Sequence, residues 1–224
     1  MTDILLSSFL SLFALFGKEE SVDEAWAKTM LENYMRRYFG IRNIESYLGF
    51  YSDLRNVYEM SDVTGMDPQA TVDSICTELK SKISHTEASL LLLRLMEFCN
   101  YQEGHTDYLF TTMAKNFQIS DVQFKVFVDF VNNRQSEHVM IQELSDTKGQ
   151  LKTLLNPETG MLIFTYTGPD TVLLNDVPVL SGAYQVWIQS SVLKGASGKP
   201  IYYSTILDAY RAVKGLAVDK TEEV

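Results

Sequence analysis

The chain has 224 residues, 46% hydrophobic and 21% charged, which is the balance of a folded globular protein and not of a disordered one. A formal net charge of −10 disfavours a nucleic-acid-binding surface and adhesion to anionic lipid, both of which need clustered basic residues. The two cysteines, Cys76 and Cys99, belong to no CxxC or Cys/His cluster, so they imply neither a disulfide framework nor zinc; they read as small buried hydrophobes of a reducing compartment.

The first apolar stretch follows Asp3 and lacks a basic leader and a small-x-small cleavage site, so it is not expected to act as a signal peptide. It is also too short and too serine-rich to span a bilayer. It is expected to form a buried helix over residues 3–16, ended by Gly17, in a cytoplasmic protein. Ser21-Val22-Asp23-Glu24 has the form of a capping box and opens a helix to about Phe39, with Trp26, Met30, Tyr34 and Tyr38 as its core face. A third helix over residues 43–60 places Ile44, Leu48, Tyr51, Leu54 and Tyr58 on one side.

Asp67-Pro68 reads as an N-cap followed by proline at the first helical position, opening a helix that carries Val72, Ile75, Cys76 and Leu79. Ser84-His85-Thr86-Glu87 is a second capping box. It opens the most apolar helix, residues 88–99, which is expected at the domain centre. A helix over residues 106–116 follows. Ser120-Asp121-Val122-Gln123 then opens a last one, ending near Asn133.

Beyond Asn133 the pattern turns to short β-like runs separated by turn residues. Strands are expected at residues 139–141, 161–167, 172–174, 177–180, 184–188 and 201–203, with Asn175-Asp176 as a hairpin turn. A helix over residues 204–214 closes the domain. The predicted class is therefore α+β in two domains: an all-α bundle of about seven helices over 1–135, a small β-rich domain with a final helix over 136–214, and a flexible tail over 215–224.

Met35-x-x-x-Phe39-x-Ile41 matches Met113-x-x-x-Phe117-x-Ile119. Each ends an amphipathic helix that follows a very apolar one. Between the two helices lies an acidic, glycine-containing loop, at residues 16–21 and again at 100–105. The order of elements suggests a pseudo-duplicated helical bundle.

This arrangement, over roughly residues 1–135, resembles the tellurite-resistance TerB-like helical domain. The resemblance implies an Asp-Gly loop and a following acid in each half, together forming a divalent-metal cluster. Here Phe16 stands where the first Asp would be, with Asp23 and Glu24 as the later acids. In the second half Glu103-Gly104 replaces Asp-Gly, with Asp107 as the later acid. The implied metal ligands are thus Glu103, Asp107, Asp23 and Glu24, and the missing Asp leaves the set short of the roughly six to eight oxygens that calcium takes. His105, in the same loop, is a further candidate. The alternative is that these are solvated helix-start carboxylates, favoured by the macrodipole.

Leu174-Asn175-Asp176-Val177-Pro178 and then Lys199-Pro200-Ile201-Tyr202-Tyr203-Ser204 extend the resemblance. A TerB-like domain followed by these segments looks like the front of an ABC-transporter-type ATP-binding protein of Bacteroides-like bacteria. That resemblance implies a non-catalytic regulatory or interaction region, docked on the ATPase core or another protein. It also implies a place at the inner face of the membrane through the parent transporter, without direct membrane insertion by this chain.

Gly195-Ala196-Ser197-Gly198-Lys199-Pro200 fails as a phosphate loop, because Pro200 stands where magnesium needs a hydroxyl and the glycine spacing is wrong. His85, His105 and His138 are far apart in sequence, and no nucleophile elbow occurs. No catalytic residue and no organic cofactor is assigned. Three functions stay open: the interaction region, a free-standing TerB-like metal-binding stress-response protein, and an enzyme whose groups converge from distant positions.

Overall fold

The computed structural model describes residues 3–40, 43–60, 65–104, 106–144 and 147–213, the side chains of residues 3, 4 and 37–39 aside. Ile41, His105 and the expected tail 215–224, all named above, lie outside that description, as do the side chains of Tyr38 and Phe39. The chain falls into two compact units, Met1–Ser120 and Asp121–Val224. The class is α+β, with helices throughout the first unit and small antiparallel sheets in the second.

The first unit contains α1 (Asp3–Glu19), α2 (Glu24–Phe39), α3 (Glu45–Glu59), α4 (Pro68–Lys80), α5 (His85–Phe98) and α6 (Asp107–Asn116). Gly17 does not end α1, as its type suggested. The helix runs through it to Glu19, along α3. A Cβ at Gly17 would stand 3.0 Å from the Tyr51 hydroxyl and 3.3 Å from the Phe98 ring, so glycine serves close packing there. Ser21 is likewise not an N-cap. It takes a left-handed φ of 51° and closes α1, its N–H donating to Lys18 O and that of Val22 to Gly17 O. The cap of α2 is Asp23, whose carboxylate accepts from Trp26 N at 2.9 Å.

The inward face of α2 also differs from expectation. Ala27, Leu31 and Met35, spaced by four, are buried, whereas Trp26 is 47% exposed. Met30 and Tyr34 are half-buried beside that narrower stripe. α5 is central, as its composition demanded, with Leu91, Leu92, Leu93, Leu95 and Met96 fully enclosed. Its Ser84–Glu87 capping box is formed in both directions. Asp67 caps α4, with Pro68 in the first turn. Phe98 meets Phe13 edge-on at 5.0 Å, and Phe110 packs on Phe16 at 4.7 Å and on Tyr101 at 4.8 Å, so the core is joined by aromatic contacts from α1, α5 and α6. Arg94 and Glu97 of α5 form a buried ion pair at 2.6 Å.

The second unit begins with α7 (Asp121–Val131), ahead of the change in composition near residue 136. α7 packs on β1 (Val139–Glu143) and β2 (Gln150–Leu155). The remaining elements are β3 (Leu162–Thr167), β4 (Leu173–Leu174), β5 (Val177–Pro178), β6 (Gln185–Trp187), β7 (Val192–Lys194), β8 (Pro200–Tyr202) and α8 (Tyr203–Val213). They build two antiparallel four-stranded sheets, ordered β1-β2-β3-β6 and β5-β4-β7-β8. Their common core joins Leu151, Leu162, Phe164 and Trp187 of the first sheet to Leu174 and Leu193 of the second and to Ile206 and Tyr210 of α8. Burying each such large side chain stabilises the unit by about 1.5–3 kcal/mol.

Candidate functional site

The acids singled out by the TerB-like resemblance lie at two helix starts. Asp23 spends a carboxylate oxygen on the α2 cap. Glu24 is paired with Lys28 at 2.6 Å and accepts from Ser52 Oγ at 3.4 Å, and Lys28 holds its carboxyl below the usual range. In the second loop Glu103 is exposed. Asp107 opens α6 and accepts from the Tyr101 hydroxyl at 2.7 Å. Burial first, then the hydrogen bond to Asp107 and the charges of Asp107, Glu103 and Glu20, push the Tyr101 phenol well up. Glu103 and Asp107 thus flank one buried tyrosine, while Asp23 and Glu24 are committed at the start of α2.

Among the described residues no group of three or more His, Cys, Asp or Glu side chains is placed to hold a metal ion. A hard cation needs several oxygens converging on one point. Two of the four carboxylates instead serve a backbone amide and a phenol, and a third a lysine, so they do not fit a metal as a set. No step is assigned to one.

Other chemistry-bearing groups have structural occupations. His85 Nδ1 lies 3.2 Å from Phe117 O. His138 is buried, with its ring Nε2 3.6 Å from a Glu137 carboxylate oxygen. Cys76 is buried, and burial pushes its thiol up to about 12; Cys99, expected to be buried too, is only partly so, and its thiol is pushed up by its surroundings and by the Glu20 charge. In the loop before β8, Ala196 N donates to Thr147 Oγ1, Gly198 N to Gly195 O and Lys199 N to Ser197 Oγ. Those amides are taken, so they form no cradle for phosphate.

Two features were not foreseen. Lys152, on β2, is buried; its ammonium donates to Phe130 O at 2.6 Å and Asn133 Oδ1 at 2.7 Å, at the C-terminal end of α7. It also stands 4.5 Å from the Phe130 ring centre and 5.5 Å from that of Tyr184. A lone lysine in an apolar stretch gave no sign of this. The second feature is the outer side of α3, where Phe50, Val57 and Met60 are exposed at 39%, 54% and 63%. Helical spacing aligns Phe50 and Val57 two turns apart, with Met60 close beside them. That row could have been found in the sequence as a second apolar face on one helix.

The segments that resemble an ABC-type protein lie in one sheet. Leu174 to Pro178 forms the β4–β5 hairpin, with Asn175 and Asp176 at φ of 51° and 64° as a two-residue turn demands. Pro200 to Tyr202 is β8, at the opposite edge. No described helix is long and apolar enough to cross a membrane. No family model matches the chain, and neither a curated protein nor a solved structure matches it significantly.

Proposed function

We propose that the chain is a non-catalytic regulatory and protein-interaction region of an ABC-transporter-type ATP-binding protein, held in the cytoplasm at the inner face of the membrane by that parent. The observation that carries the interaction reading is the exposed apolar row of Phe50 and Val57 on α3 and Met60 at its C-cap. Scattered exposed hydrophobes need no explanation, but an aligned set on one helix favours burial against a partner. The choice of partner rests on the sequence resemblance in β4–β5 and β8.

The test titrates the chain against the ATP-binding domain encoded in the same reading frame or operon, read by interferometry. Saturable binding is expected. It should weaken about tenfold or more in Val57→Asp/Met60→Asp, since anchors at an interface centre carry most of the affinity. The thermal midpoint should hold, because both side chains already face solvent. No binding, or equal binding by the double variant, overturns the reading.

A further inference from the structure

We draw no further inference here: the strongest candidate, the cleft between α1, α2 and α5 where the buried Arg94–Glu97 pair lies beside Tyr34, offers a water-sized guest about 10 Å³, room for one water and not for a ligand.

Discussion

Tyr210 fastens α8 to the first sheet of the second unit, and removing its hydroxyl gives a signed, pH-dependent prediction. The phenol lies 3.0 Å from Thr153 Oγ1 and donates to His138 O at 3.3 Å. His138 O keeps the Leu155 amide as a donor, so Tyr210→Phe chiefly strands the Thr153 hydroxyl, which has no solvent access. Orphaning one buried hydroxyl costs about 1–2 kcal/mol at neutral pH. Burial also pushes the phenol from its ordinary 10 up to about 12. The unfolded chain therefore ionises first as the pH rises. The fold's advantage from a neutral Tyr210 is whole below pH 10 and is lost between 10 and 12, by roughly 2–3 kcal/mol in all. The Phe variant has no such loss. It should be less stable than the parent at pH 7 and nearly equal to it by pH 11. Urea unfolding of Trp26→Phe backgrounds makes Trp187, buried in the same core, the only indole reporter. Equal stability at pH 7, or a gap that stays constant to pH 11, would refute the reasoning.

Three further outcomes are expected. Gly17→Val should destabilise the first unit by about 1–3 kcal/mol, because its branched side chain meets the Tyr51 hydroxyl and the Phe98 ring. Gly17→Ala should cost less, since alanine regains about 1 kcal/mol of helix propensity. Trp26 fluorescence in a Trp187→Phe background reads both, and a fully stable valine variant counts against the close-packing argument. Lys152→Met keeps the apolar stem but removes two donors from the end of α7; relief of a buried ammonium offsets part of that, leaving a loss of about 1–2 kcal/mol in the Trp187 transition. A gain in stability would show that desolvation of the ammonium dominates. Calorimetric titration with calcium to millimolar concentration should give no saturable heat, and micromolar binding abolished in Glu103→Ala/Asp107→Ala would restore the metal reading.

Local signals with one physical meaning were legible in the sequence. The Ser84–Glu87 box, the Asp67-Pro68 start and the Asn175-Asp176 turn each satisfy a backbone geometry that few other residues satisfy as well. Signals with two meanings were misread. Gly17 looked like a helix stop, yet it is the point where α1 approaches Tyr51 and Phe98, a contact between residues distant in sequence. β2 went unseen because Lys152 interrupts its apolar run and turn residues bracket it; only tertiary structure, through α7, supplies acceptors that let a lysine occupy that strand. β7, three residues long, is too short to show a period. The acids of the two loops were visible as helix-start carboxylates, but the partners that occupy them, Lys28 and the Tyr101 hydroxyl, were not, since these depend on how the helices fold.

The internal repeat gains a more local explanation from the helix ends. α1 closes with Ser21 in the left-handed region and buried Val22 after it; α5 closes with Asn100 and buried Tyr101, α6 with Gln118 and buried Ile119. In each, the amide of the left-handed residue reaches back three positions and the next amide five, at Gly17, Met96 and Ala114 respectively. α7 ends the same way at Asn133 and Arg134, although it belongs to the other unit. α2 also ends on a left-handed residue, Gly40, which aligns with Gln118 in the matched spacing. After α1, α5 and α6 this closing turn buries an apolar residue, whereas Arg134 after α7 is exposed. At Met113, Phe117 and Ile119 the pattern reports how α6 ends, with the closing turn burying Ile119.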